Sequence, residues 1–230
     1  DMMMANPQKV WTRTEQLQIA MQTGSKKGAP GELYSYCDTG YILLGEALET
    51  VLDTSLAAAI DLLLDYNKLG LTSTWLESAE AAKVDTIDIA HCYFGKNDAT
   101  EWDASIDIFG GGGLVSTSDD LAQFMYQLMT DQVYQQSSTK ELMLSPTEFI
   151  DDAFAKEQAG YQDYRLGLGE IEVYGEKGYL HEGFWGSFMI YIPSMNCSVA
   201  GYTTDGSYHR LLKKVWLTLK NIQEQINAHE

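Results

Sequence analysis

The sequence predicts an α+β fold in which helices and an antiparallel sheet occupy separate stretches of the chain. Three observations carry this. Apolar residues recur at helical spacing through the first half, and beyond about residue 160 the period shortens to that of strands. The chain then ends on an amphipathic helix built on Leu211, Leu212, Val215, Trp216, Leu219, Ile222 and Ile226. There are no alternating βαβ units and no internal repeat.

The elements follow in order. Residues 1 to 21 read as a loop and a short helix, with Thr12 or Thr14 as its cap ahead of Glu15. Gly24 to Gly31 is a polar turn region rich in chain-breaking residues. Leu33 to Gly40 leads into a helix on which Leu43, Leu44, Ala47, Leu48, Val51 and Leu52 share a face expected to be buried. A second helix starts near Thr54 or Ser55, runs through Leu62, Leu63 and Leu64, and is stopped by Gly70. Residues 76 to 109 read as loops and short elements. Gly110 to Val115 forms a flexible approach to Ser116-Thr117-Ser118-Asp119-Asp120, a helix-start signature. The helix that follows sets Leu121, Phe124, Met125, Leu128 and Met129 on one side. Tyr164 to Gly169, Ile171 to Tyr174, Phe188 to Ile192 and Ser198 to Thr203 read as strands, with turns at Gly175 to Gly178 and Pro193 to Asn196. A mainly helical region, 1–155, is thus expected ahead of a sheet and helix region, 156–230.

Composition narrows the function. With 230 residues, 45 % hydrophobic and 21 % charged, the chain is ordinary globular material. Its formal charge of −18 argues against nucleic acid and anionic lipid as partners, since both attract basic surfaces. No apolar run reaches the length of a membrane span; Asp61 and Asp65 interrupt the best stretch. The three cysteines, Cys37, Cys92 and Cys197, are scattered and imply neither a disulfide framework nor a zinc site. The four histidines lack metal-binding spacing, so no metal and no cofactor are expected. The chain opens Asp1-Met2-Met3-Met4 without a signal peptide, which reads as a processed or truncated product.

Two stretches carry chemistry. In Tyr36-Cys37-Asp38 a phenol and a carboxylate stand two residues apart, on one side of an extended segment just before a helix. Near a cation such a phenol could act as a base; alternatively Tyr36 packs in the core and Asp38 or Thr39 caps the helix. In His181-Glu182-Gly183-Phe184-Trp185-Gly186 a histidine on a strand adjoins glycines. These mark either the close approach of a ligand or a bulge. The glycine run 110–113 lacks the lysine of a phosphate loop and reads as a turn before a helix.

Four segments resemble the class C β-lactamase and DD-peptidase family of serine hydrolases. Pro30-Gly31, Tyr36-Cys37-Asp38-Thr39-Gly40-Tyr41 and Leu43-Leu44-Gly45 are similar to the family's Pro-Gly, Tyr-x-Asn and Leu-Leu-Gly region. Leu69-Gly70-Leu71-Thr72-Ser73-Thr74 is similar to its Leu-Gly-Met-x-x-Thr. Gly112-Gly113-Leu114-Val115-Ser116-Thr117-Ser118-Asp119-Asp120-Leu121-Ala122 matches its Gly-Gly-Leu-x-Ser-Thr-x-x-Asp-Leu-Ala. His181-Glu182-Gly183 stands where the family has Lys-Thr-Gly or His-x-Gly.

The resemblance implies a β-lactamase/transpeptidase-like fold and acyl-enzyme hydrolysis of an ester, a D-amino-acid peptide or a β-lactam. Catalytic roles fall on Tyr36, as proton shuttle, and His181; Asp38, Gly183 and Phe184 would bind substrate, with the Phe184 amide as an oxyanion donor. Asp38 replaces the family's Asn, exchanging a donor for an acceptor and arguing against β-lactam recognition. His181 in place of Lys suits the esterase and peptidase relatives. The family's nucleophile motif, Ser-x-x-Lys, is matched only by Ser137-Ser138-Thr139-Lys140, which follows the tyrosine motif instead of preceding it and is read as chance. The true motif is expected upstream of Asp1, with the nucleophile helix and N-terminal strands missing and the chain inactive alone. A missing strand predicts pairing with another chain through an exposed sheet edge, or disorder near residues 1 to 30. The alternative is a non-catalytic peptide- or glycan-binding relative. Family habit implies an exported bacterial protein, periplasmic or secreted.

Overall fold

The computed structural model describes residues 5–77, 89–146, 161–173, 175–204 and 208–227. The helices are α1 (Arg13–Thr23), α2 (Asp38–Leu52), α3 (Leu56–Leu64), the one-turn α4 (Tyr66–Leu69), α5 (Ser118–Met129), α6 (Ser137–Met143) and α7 (Tyr208–Asn227). The short strands β1 (Trp75–Leu76) and β4 (Leu114–Val115) pair with each other, as do β2 (Tyr93–Phe94) and β3 (Asn97–Asp98). An antiparallel five-stranded sheet follows in chain order: β5 (Asp163–Tyr164), β6 (Gly169–Val173), β7 (Glu176–Glu182), β8 (Ser187–Ile192) and β9 (Cys197–Tyr202). The architecture is α+β, as expected.

Alternation along the strands gives this sheet two apolar faces. On one, Ile171, Leu180, Phe188, Ile190 and Ile192 pack with Leu212 and Trp216 of α7. On the other, Leu168 and Tyr191 pack with Met125, Leu128 and Met129 of α5, and Tyr179 and Met189 lie against them. Burying each large apolar side chain contributes roughly 1.5–3 kcal/mol, so the sheet is anchored from both sides. Ile222 and Ile226, on the last turns of α7, stay exposed.

The local signals act as expected in α1, where Thr12 and Glu15 form a reciprocal capping box. Ser55 caps α3, and Gly70 closes α4 in the left-handed conformation. Thr117 caps α5 by accepting the Asp120 amide. Three expectations need correction. Tyr164 to Gly169 is not one strand: the Arg165 amide donates to the Leu168 carbonyl at 2.6 Å, folding a turn between β5 and β6. The expected turn at Gly175 to Gly178 is shorter, because β7 already begins at Glu176; Tyr174 lies outside the described residues. The third correction concerns α2, which buries Ile42 and Gly45 and leaves Leu43, Leu44, Ala47 and Val51 exposed. Gly45 is inside because the Phe109 carbonyl stands where its Cβ would be, so the apolar stripe points away from that contact. The domain boundary expected at residue 155 lies outside the described residues.

Candidate active site

Tyr36 stands on the loop that enters α2. Its N-cap is Cys37, with no side-chain capping bond, and Asp38 is the first helical residue; neither Asp38 nor Thr39 is the cap. Around Tyr36 other tyrosines gather. Its ring lies 5.8 Å from that of Tyr41 and 5.6 Å, edge-on, from that of Tyr164. Tyr164 in turn stacks on Tyr34 at 5.2 Å and meets Tyr161 at 5.6 Å. Burial, together with the neighbouring Glu182 carboxylate for Tyr161 and the neighbouring Tyr41 for Tyr164, pushes both phenols well above their ordinary value. A cavity of about 420 Å³ opens beside Tyr36, lined by Tyr34, Cys37, Tyr41, Leu44 and Leu166. Among the described residues no charged side chain lines it.

The electrostatics run against the expected base. Burial first, then the negative charges of Asp38 and Asp107, push the Tyr36 phenol up to about 12. Among the described residues no cation opposes this, so the phenol is protonated at neutral pH and is a donor in the resting state.

The glycine run explains how Asp38 acquires its neighbour. At Gly110 (φ +119°) a Cβ would stand 2.4 Å from the Tyr41 carbonyl, and at Gly112 one would stand 2.7 Å from both Asp107 carboxylate oxygens. Only glycine lets this turn press against the start of α2. The run is therefore a packing seam and not a flexible approach. The seam is also braced from the N-terminus: the Trp11 amide donates to Ser105 Oγ at 2.6 Å and Gln16 Nε2 to the Ser105 carbonyl at 2.5 Å. Burial and the adjacent Asp38 raise the Asp107 carboxyl above its ordinary value, opposed by a hydrogen bond from the Trp185 indole. Crowding by the surrounding protein raises Asp38 as well.

Trp185 brings in the third segment. The Gly183–Gly186 turn joins β7 to β8, closed by Gly183 N–H to Ser187 at 2.8 Å and Gly186 N–H to Gly183 at 3.0 Å. The amide of Phe184 is not among the bonds that close it. The Phe184 ring, 65 % exposed, stacks on Phe94 at 6.1 Å and meets Trp185 edge-on at 5.0 Å. His181, paired across the ladder with Met189, lies by strand alternation on the α5 face of the sheet. Burial alone lowers its pKa, so at neutral pH the imidazole is uncharged.

Tyr161 and Asp107, which couple electrostatically to Tyr36, are themselves influenced by Glu182 and Trp185 of the β7–β8 region. Sequence reasoning missed Asp107, Tyr161 and Tyr164 as members of this region, and gave Tyr41, Glu182 and Trp185 no role within the stretches that contain them. Ser137-x-x-Lys140 is elsewhere: Ser137 is exposed, and Lys140 Nζ is bonded to the Met129 carbonyl at 2.5 Å and to Asp131 at 3.0 Å. That lysine closes the end of α5 and is already occupied.

This arrangement agrees with a family profile that matches residues 2–220 under the description Beta-lactamase. The chain belongs to the Beta-lactamase family. Its fold is shared by the D-amino acid amidase of Ochrobactrum anthropi SV3, solved with L-phenylalanine amide (18 % identity, TM-score 0.74), covering 94 % of this chain and 65 % of the amidase. It is also similar to the octameric penicillin-binding protein homologue of Pyrococcus abyssi (26 % identity, TM-score 0.67), over 86 % of this chain and 46 % of that one. A penicillin-binding protein of Bacillus halodurans matches at 18 % identity and a TM-score of 0.62, over 87 % and 62 % of the two chains. The chain therefore spans less than two thirds of these relatives' lengths. No curated protein matches it. Membership makes this a chain of a serine hydrolase family. Among the described residues of this Beta-lactamase member, no helix is long and apolar enough to cross a membrane, and no group of three or more His, Cys, Asp or Glu could hold a metal ion.

Proposed function

We propose that this chain supplies the proton-transfer tyrosine and the substrate-holding turn of a serine hydrolase acting through an acyl-enzyme. The serine and lysine would be contributed from outside these 230 residues. The observation that supports the reading is the glycine seam that sets Asp107 against the start of α2, beside Tyr36 and Asp38, in a chain whose family profile spans residues 2–220. Tyr36, protonated at rest, is suited to give its proton to a leaving group and to recover it from the attacking water. The Phe184 amide is the oxyanion donor on this chain. A neutral His181 can donate a hydrogen bond to a substrate carboxylate but offers it no charge. Together with Asp38 this favours esters and D-amino-acid amides or peptides over β-lactams.

The test is hydrolysis by the 230-residue chain of p-nitrophenyl acetate, D-phenylalanine amide and nitrocefin. The expected result is no turnover and no labelling by a fluorophosphonate, and turnover of any one of the three would overturn the assignment of the nucleophile. A second reading rests on the exposed Phe94 and Phe184 rings: a non-catalytic relative using this face to bind a peptide or glycan. Pairing of another chain with the β9 edge, and export from a bacterial cell, belong to the same proposal.

A further inference from the structure

We propose that Tyr164 is a positioning residue for Tyr36, held in place by the ion pairs of Arg165. The argument starts from what touches the Tyr36 ring. Tyr41 lies on the helix that Tyr36 leads into, so it moves with the same segment. Tyr164 is the contact from the sheet, 5 % exposed and edge-on to Tyr36 at 5.6 Å.

The strand that carries Tyr164 is weak by itself. Among the described residues β5 has two residues at the end of the sheet order, paired with Gly169 and Glu170. Its stiffness comes from Arg165, 8 % exposed, whose guanidinium lies 3.0 Å from Asp163 and 2.6 Å from Glu170. Lys177 on β7 holds the same Glu170 at 2.7 Å. The planar fork of arginine reaches two carboxylates at once, which the single ammonium of a lysine cannot do in that geometry. A chain of contacts therefore runs from β7 through Glu170 and Arg165 to Tyr164, and from its ring to the phenol of Tyr36. The same ring covers one side of Tyr36, which is otherwise 40 % exposed, and the ionisable groups that face it are Asp38, Asp107, Tyr41, Cys37, Tyr161 and Tyr164 itself.

The inference rests on the reading of Tyr36 as the proton-transfer residue, but its test does not. In the 230-residue chain carrying ¹³C-labelled tyrosine ring carbons, the Tyr36 resonance is identified with Tyr36→Phe and followed from pH 7 to about 10.5. In the unaltered chain the phenol barely titrates over this range. Tyr164→Leu removes the covering ring, and ionised Tyr36 at pH 10 then rises by on the order of tenfold. Tyr164→Phe keeps the ring and leaves the curve in place. If Tyr164→Leu does not fold by circular dichroism, Arg165→Lys replaces it, with a rise in the same direction. An unmoved curve in a folded Tyr164→Leu or Arg165→Lys chain overturns the proposal, as does an equal rise with Tyr164→Phe. The proposed function fails separately, through hydrolysis by the unaltered chain.

Discussion

The Thr74 hydroxyl donates to the buried carboxylate of Asp120 at 2.7 Å, and the same oxygen accepts the Ser73 amide at 2.8 Å. Thr74 also shares a 2.8 Å hydrogen bond with Ser116, while β1 and β4 pair Trp75 with Val115. Two of the four family-like segments are thereby stitched into one, directly behind the glycine seam that places Asp107. The Asp120 carboxylate, at the start of α5, serves as a long-range tie. Asp120→Ala removes the acceptor shared by the half-buried Ser73 amide and the buried Thr74 hydroxyl and is expected to cost about 2–3 kcal/mol, with Asp120→Asn costing roughly half as much. Urea unfolding reads this directly, and an Ala variant within about 0.5 kcal/mol of the parent would refute the tie.

At Gly186 the backbone has φ +102° and a Cβ would stand 2.0 Å from the Thr203 carbonyl oxygen. An alanine there meets both an unfavourable conformation and a main-chain clash. Gly186→Ala should lose about 3 kcal/mol or more and displace the Phe184–Trp185 turn. The displacement is visible as a change in tryptophan fluorescence; an unaltered spectrum and melting point would show that the turn has room to relax.

Asp107 carries a raised carboxyl pKa from burial and from Asp38. The folded state therefore holds its proton more tightly than the unfolded state. The stability linked to that proton is fully present below the unfolded value, near pH 4, and is lost as pH rises through the raised folded value. Asp107→Asn keeps an acceptor for Trp185 and removes the charge. Its melting temperature should exceed the parent's at pH 7, and the difference should close by pH 4. A variant that melts lower at pH 7 would mean that the charged carboxylate is needed by Trp185.

His181 has the opposite sign. Burial lowers its pKa, so its contribution is present above the unfolded value, near pH 6.5, and is lost as pH falls through the folded value. Between pH 7 and 5 the parent should therefore lose more stability than His181→Gln. Parallel urea midpoints across that interval decide it; identical slopes would place the imidazole in water.

The helices, the meander and the motif residues were legible because local signals decide them: Thr12, Ser55 and Thr117 do cap, and period-2 apolar residues do form β8 and β9. Spacing drew attention to Tyr36, Asp38 and the His181 segment but left packing, capping and a bulge open; the family resemblance singled them out. What joins them could not be read in either way. Asp107 meets Trp185, and Tyr161 meets Glu182, only through tertiary packing, and neither pair leaves a pattern in the sequence. Periodicity likewise found the apolar stripe of α2 but could not say which neighbour would claim the helix. A backbone contact between Gly45 and Phe109 decided that in favour of the other face.

That stripe has a consequence for the behaviour of the molecule in bulk. Leu43, Leu44, Ala47 and Val51 form a cohesive strip on a particle of formal charge −18. At low ionic strength, mutual repulsion keeps such particles apart. Physiological salt shortens the reach of that repulsion to about 8 Å and leaves the cohesion of the strip untouched. Whether copies of this chain disperse or cluster is thus set by the electrolyte around them, and acidity acts as a colloidal stabiliser for a surface that composition alone would call soluble.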